Sequence, residues 1–542
     1  MSSLTLYFHT VRHLRPIQIV ARAWYRLYRP APGLSAAPAT RRAGARYVPP
    51  IAPGQTLLAA DVFRLLNVER RCAVASDWQP PDASLLWIYH LHYFDDLNAC
   101  DAPARALWHA NLLTRWVVEN PPGQGEGWDP YPVSRRIVNC VKWTARGNTL
   151  PAPVHQSLAV QTRWLAQRLE YHILGNHLFA NATALVHAGL YFVGPEAERW
   201  YACGMQILER ELRAQVLPDG GHFELSTMYH AAILEELLDL VNLLSAHGRE
   251  PPRAWMAAIT RMRTWLGVMS HPDGGIAFFN DAAFGIAPTF AEIEAYALRL
   301  GLPSTPDNAS RTVLFDASGF VRIRIPPAYL VCDCAAVGAD YLPGHAHADA
   351  LSFELSLGEQ RVLVNSGTSQ YGTDAERQRQ RGTAAHNTVV VNGEDSSEVW
   401  AGFRVARRAH VKLHAVTTTP QAVTVEASHD GYRRLPGRNE HRRRWILDER
   451  SLLIEDEVSG AFTTAEAYFH LHPEVGARLE GTQEVLLSCR GRSWRMVFEG
   501  ARAVELRSGT WHPRFGVAVA NRCIRASFAS AALTTSLCWE LP

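Results

Sequence analysis

"GFVRIRIPPAYLVCDCAAV", Gly319 to Val337, carries the period that decides the fold. Successive side chains of an extended chain point to opposite faces. Val321, Ile323 and Ile325 therefore share one face, and Arg322 and Arg324 the other. The same period recurs toward the C-terminus in "LSFELSL" (351–357), "QRVLVNSG" (360–367), "HNTVVVNG" (386–393), "QAVTVEAS" (421–428), "RRWILDERSLLIEDEV" (443–458) and "WRMVFEG" (494–500). Gly, Asn and Asp turns join these runs, which predicts an antiparallel β-sandwich.

Toward the N-terminus the period changes. In "STMYHAAILEELLDLVNLLSAHG" (226–248), Ile233, Leu234, Leu237, Leu238, Val241 and Leu244 repeat at three and four, with Ser226 as N-cap and Gly248 as stop. Comparable helical stretches fill 104–119, 134–147, 155–174, 176–192, 196–217 and 254–270. Short turns between them predict antiparallel helical hairpins. The sequence thus divides into a basic N-terminal segment (1–56), a helical domain (57–310) and a β domain (311–542).

A chain of 542 residues, 47% apolar and 20% charged, has the composition of a multidomain globular protein. Its nine cysteines are scattered, only Cys332 and Cys334 lying close, which fits a reducing compartment better than a disulfide framework. Eight arginines precede the first acidic residue, Asp61. The opening "LTLYFHTVRHLRPIQIVARAWYRLYRP" mixes them with aromatic and aliphatic residues and lacks the features of a secretory signal. The expectation is a cytoplasmic protein whose N-terminus either packs on the fold or makes peripheral contact with an anionic membrane.

Polar and titratable groups gather in a few places. "GHAHADALSF" (344–353) puts His345, His347 and Asp349 on one face of an extended segment and three alanines on the other. "GNHLFAN" (175–181) opens a helix with Asn176 and His177, where an asparagine also suits a cap. "DGGHFELSTMYHA" (219–231) sets Tyr229 and His230 in a first helical turn, and a core-facing tyrosine is the competing reading. A long connection from Val364 to Gly393 holds Asn365, Tyr371, Arg377, Arg379, Arg381 and His386. "GWDPYPVSRRIVN" (127–139) offers Trp128 and Tyr131 for stacking on sugar rings and Arg135 for pairing with carboxylate or sulfate. A buried Trp–Pro corner would explain Trp128 equally well. Tyr89–Leu97 is a further candidate lining. Between Arg377 and Arg444, thirteen Lys/Arg face six Asp/Glu, a positive field suited to an anionic polymer. No nucleic-acid recognition motif accompanies it, so nucleic acid is not an expected partner.

Helical hairpins followed by a β-sandwich, with "GNH", "MYH", "GHAHAD…LSF", "VNSGT" and "HNTVVVNG" in that order, resemble the heparinase II/III-like polysaccharide lyases. The resemblance runs from about Trp87 to the final strands. It implies an incomplete (α/α) toroid followed by an antiparallel β-sandwich, with an anionic, uronic-acid-containing polysaccharide, such as a bacterial exopolysaccharide, bound between them and cleaved by β-elimination. Asn176 and His177 match the family's carboxylate-neutralising positions, Tyr229 its acid/base tyrosine, His345 its second catalytic histidine and Tyr371 a further active-site tyrosine. Trp128, Tyr131, Arg135, His230 and Arg381 are the expected substrate-binding residues. His347 and His386 match two ligands of a structural zinc found in relatives. The third is an aspartate there and Asn365 here, so zinc is expected with help from Asp349, or else a metal-free hydrogen-bond cluster. Relatives are typically exported, which makes a periplasmic location the alternative. Two other functions remain open: a glycoside hydrolase using Asp129 and Glu224, and a non-catalytic polysaccharide-binding or assembly protein.

Overall fold

The helical half ends at Arg299 and the first strand of the β half begins at Thr312. The computed structural model describes residues 3–41 and 47–540. Residues 1–2 and 42–46 of the basic N-terminal segment lie outside the described residues. Within that segment, α1 (Ser3–Val11) lies against the β half and α2 (Pro16–Leu27) against both halves of the molecule. A three-stranded antiparallel sheet over 57–71 follows, which the helical reading of 57–310 does not anticipate.

The toroid is built from α3 (Leu85–Tyr93), α4 (Ala106–Glu119), α5 (Pro130–Ala145), α6 (Ala152–Gln167), α7 (Gly175–Tyr191), α8 (Pro195–Gln215), α9 (Thr227–Ala246), α10 (Arg253–Val268) and α11 (Phe290–Arg299). Ser226 caps α9 by accepting from the Tyr229 amide at 3.2 Å, and the helix ends before Gly248 at φ 68°. The apolar stripe of α9 is buried as its spacing requires. The stretch 155–174 does not run on as one helix: α6 stops at Gln167, and the following turn delivers Glu170 to α7. There the Glu170 amide donates to Asn181 Oδ1 at 2.8 Å and its carboxylate accepts from Asn181 Nδ2 at 3.0 Å.

The β half contains a five-stranded antiparallel meander (312–363), a four-stranded sheet and an eight-stranded sheet. Its last strand, Ala532–Cys538, fits between Ser451–Val458 and Arg492–Glu499. Side chains from all three sheets form one apolar core around Trp445, Phe353, Phe469 and Phe498. The connection after the meander carries a short helix, α12 (Ala375–Arg381). All nine cysteines are free.

The two halves share apolar cores. Val364, Trp511 and Phe515 of the β half join the main helical core. Trp265, Met269 and Phe279 pack with Phe315, Phe320 and Val331 in a second one. Burial on this scale makes the seam between the halves a fixed interface rather than a hinge.

Candidate active site

A cavity of about 440 Å³ opens along that seam. Asn176, His177 and Tyr229 reach it from the toroid, and His345 and Tyr371 from the β half. Tyr131, Arg135 and the Tyr89–Asp95 stretch complete its helical wall.

Asn176 is not a cap. Leu174, at φ 70°, occupies the N-cap of α7, and no side chain caps the helix there. The Asn176 amide has no side-chain partner among the described residues, and it faces the cavity beside the free N–H groups of the first turn. Gly175 permits this approach: its φ is 56°, and a Cβ there would lie 2.2 Å from Leu342 of the β half. His177 donates through Nδ1 to Glu170 Oε1 at 3.0 Å and packs on Tyr131 with centroids 4.6 Å apart. Burial works against its charge, but the Glu170 carboxylate outweighs that and raises the His177 pKa. An imidazole whose charged form Glu170 favours and an unpaired amide thus stand side by side.

Across the cavity, the His345 ring lies on the Tyr229 ring, with centroids 3.8 Å apart and planes 17° from parallel. The Tyr229 and Tyr371 hydroxyls are 2.9 Å apart. Burial and the neighbouring phenol and Asp281 carboxylate raise the Tyr229 pKa well above 10, so the group is a phenol at neutral pH. His345 Nδ1 is bonded to the buried carboxylate of Glu224, which leaves Nε2 as the free ring nitrogen. Burial opposes ionisation of Glu224, yet the His345 contact holds its pKa below the usual value.

Residues 344–352 form no strand, but their alternation survives. Ala346, Ala348 and Ala350 enter a small apolar cluster with Val399 and Val405, while His345, His347 and Asp349 turn the other way. His345 reaches the cavity and His347 is buried behind it. His347 Nε2 donates to Asp281 Oδ1 at 2.9 Å, and Asp281 accepts both Nη groups of Arg377, Nη2 at 2.7 Å. Asp281 is buried, but Arg377 and His347 hold its carboxylate far below the usual range. Its main chain also ties the site together: its amide donates to the His345 carbonyl at 3.0 Å, and its carbonyl accepts from the α9 cap, Ser226.

The zinc expectation can be tested against this donor set. His347 Nδ1 and His386 Nε2 face each other at 3.3 Å, and His386 Nδ1 lies 3.3 Å from Asn365 Oδ1. Asn365 Nδ2 donates to the Phe278 carbonyl at 2.8 Å, and Asp349 accepts from the Asn280 amide at 3.1 Å. Among the described residues no three His, Cys, Asp or Glu side chains converge on one point. Two imidazoles with a neutral amide do not make the four-ligand set of a closed zinc site.

Three expected substrate-binding residues lie elsewhere. Trp128 is in the core, its indole N–H donating to the Asn120 carbonyl at 3.2 Å between Trp116 and Trp164. His230 is buried on Trp265, with Nε2 on the Met262 carbonyl at 2.9 Å. Arg381 is spent on the Ala346 carbonyl, at 3.0 and 2.9 Å. Each has its polar atoms satisfied by main-chain groups, which a residue type cannot reveal in advance. The arginine-rich stretch is likewise paired internally: Arg377 with Asp281, Arg379 with Glu376, Arg407 with Glu398 and Arg443 with Asp456. With Arg408 on Asp340 and Arg444 on Glu455, acids from outside 377–444 offset five of the seven excess charges. Tyr131 and Arg135 do line the cavity, and Arg135 is held by Glu236 at 2.8 Å.

The family described as "Heparinase II/III-like, C-terminal" matches residues 308–540, and "Heparinase II/III N-terminus" matches 110–294. The chain belongs to the heparinase II/III-like family. Among curated relatives, a heparin-sulfate lyase of Bacteroides stercoris is 26% identical over 54% of this chain and 45% of its own length. The match thus spans less than half of that lyase. FtsZ-localized protein C of Caulobacter vibrioides (strain NA1000 / CB15N) is 26% identical over 72% of this chain and 70% of its own. Among solved structures, heparinase III superposes with a TM-score of 0.70 at 19% identity, covering 85% of this chain and 78% of that one. The heparinase II/III-like fold accounts for the toroid, the stacked sheets and the cleft between them. Sequence reading missed Glu170 and Asp281 altogether and placed Glu224 in a different role. The one signal for Asp281 was an Asn–Asp pair inside the apolar run "FFNDAAF".

Proposed function

We propose that this protein is a polysaccharide lyase that cleaves a uronate-containing polymer by β-elimination. The observation that carries the reading is the convergence of Asn176 and His177 on one wall of the cleft with the Tyr229–His345–Tyr371 cluster. The C5 proton of a uronate is removable only when its carboxylate is neutralised. Asn176, His177, whose charged form Glu170 favours, and the first turn of α7 supply donors for that carboxylate, acting as an oxyanion hole does. His345 Nε2 takes the C5 proton while Glu224 stabilises the imidazolium. As the C4=C5 double bond forms, the C4–O4 bond breaks and the Tyr229 phenol protonates O4. The enzyme is then left with a protonated His345 stacked on a deprotonated Tyr229, and a single proton transfer between them resets it.

The lining also favours a sparsely sulfated polymer. Arg135 and His177 share the cavity with Asp95, Glu235 and Glu236, and burial raises Glu235 to about 7 and Glu236 above its usual value. Such a wall accommodates one carboxylate at the α7 terminus but offers little to a row of sulfates. Purified protein should be incubated with hyaluronan, polymannuronate, heparan sulfate and heparin, and ultraviolet absorbance of the unsaturated product followed. Turnover of a low-sulfate uronate polymer with heparin untouched is expected; release of reducing ends without that absorbance would refute the lyase reading. Asp129 and Glu224, the pair a hydrolase would use, do not line the cavity: Asp129 accepts from Tyr89 at 2.6 Å, and Glu224 holds His345.

One observation favours a second reading. A curated relative aligned over 72% of the chain, against 54% for the heparin-sulfate lyase of Bacteroides stercoris, has a name that records localisation with FtsZ rather than lyase activity. On that reading the same cleft binds a polysaccharide without turnover. Binding of a uronate oligosaccharide, with no absorbance change on any polymer, would support it.

A further inference from the structure

The two N-terminal helices are mounted inside out. They dock through polar and mixed groups. Thr10 Oγ1 accepts from the Trp400 indole at 3.1 Å, and Gln18 Nε2 donates to the Ile173 and Tyr341 carbonyls at 3.3 and 3.1 Å. Tyr25 packs on His172 beneath the Arg168 guanidinium. Their apolar stripes face outward at helical spacing. On α1 these are Leu4, Phe8 and Val11, while the half-exposed Tyr7 packs its ring on Trp400; on α2 they are Ile17, Val20, Trp24 and Leu27. Leu4 is 79% exposed, Val20 65%, Trp24 60% and Leu27 83%. Of the twenty-one large hydrophobic residues exposed among the described residues, eleven fall between Leu4 and Leu34. The other ten are scattered over the rest of the described residues, so the one dense exposed apolar stretch lies on this arm, which marks an interaction surface.

Charge says what covers it. Arg12, Arg15, Arg22, Arg26 and Arg29 are exposed on the same arm, and no acidic residue precedes Asp61. Arg22, Arg26 and Arg29 form no ion pair among the described residues. A second copy of the arm would bring two arginine clusters together, whereas an anionic lipid surface takes both the apolar stripe and the cations. Trp24 and Tyr28, stacked at 4.9 Å, are residue types that favour the lipid–water interface. Helices of 9 and 12 residues suit lying in that interface, since a span takes about 20.

We propose that α1 and α2 dock this protein on an anionic membrane surface, with the cleft held beside it. Arg15 stacks on Tyr341 at 3.6 Å, four residues before His345 on the same loop, so the arm sits on the segment that delivers the catalytic histidine. The proposal does not depend on turnover. The full-length protein is sedimented with vesicles of phosphatidylcholine alone or of equimolar phosphatidylcholine and phosphatidylglycerol. Binding to the anionic vesicles only is expected, with at least a ten-fold loss of the bound fraction in Val20→Glu/Trp24→Glu and in Arg22→Glu/Arg26→Glu. These positions are exposed, and an unchanged melting temperature confirms that the variants fold. Absence of binding by the wild type, or wild-type binding by both variants, would overturn the proposal. So would a wild-type dimer in light scattering that Val20→Glu/Trp24→Glu converts to monomer, because a second copy would then cover the stripe.

Discussion

Glu224 approaches His345 from inside the protein, 121 residues away in sequence, and bonds to the ring nitrogen that faces away from the cavity. The other nitrogen is thereby fixed as the acceptor on the cleft side. Replacing Glu224 by Gln keeps the shape but removes the charge that stabilises the imidazolium. We expect kcat to fall ~100-fold with KM little changed. A proportionate rise in KM with kcat intact would show that Glu224 serves binding instead.

Tyr229→Phe removes one oxygen from a ring that remains stacked on His345. The fold should survive and kcat should fall by at least ~100-fold. Near-native turnover by the folded variant would assign the protonation of O4 elsewhere, with Tyr371, 2.9 Å away, the next group to replace.

The pair His177–Glu170 gives a pH signature. His177 has a raised native pKa, so its contribution to stability is complete below the ordinary imidazole value of 6.5 and is lost as pH rises through the native value. Glu170 has a lowered one, so its contribution is present above the ordinary 4.5 and is lost as pH falls through the native value. The stability difference between wild type and Glu170→Gln, measured by denaturant unfolding, should therefore shrink at both alkaline and strongly acidic pH. KM for a uronate polymer should rise on the alkaline side as His177 loses its charge. A pH-independent difference would mean that the two groups are merely packed together.

The His347–His386–Asn365 chain is expected to stand on hydrogen bonds. Dialysis against a chelator should leave the melting temperature unchanged, and His386→Ala should destabilise by ~1–3 kcal/mol through an orphaned buried acceptor. Stoichiometric zinc in the purified protein, with a lower melting temperature after chelation, would replace that account by a metal.

Periodicity made the architecture legible: the stripe of α9 and the alternation after Thr312 each specify an element from local sequence. It also separated His345 from the alanines beside it, although residues 344–352 never join a sheet. The failures have a common cause. Trp128, His230 and Arg381 are types that bind sugars or anions when exposed, and only tertiary packing shows that they are buried. Glu170, Glu224 and Asp281 act through contacts that no local pattern records, Asp281 meeting Arg377 across 96 residues. Arginine counts misled in the same way, because a cation paired with a carboxylate from elsewhere in the fold adds little net charge.

The shared cores at the seam have a consequence for how the chain responds to heat. Trp265, Met269 and Phe279 share one core with Phe315, Phe320 and Val331, and Phe515 belongs to the helical core rather than to the sheets. Neither half can loosen without stripping the other. The change of period near residue 310 is thus a boundary in secondary structure and not in cooperativity. Calorimetry should record one melting transition, and either half expressed alone should aggregate.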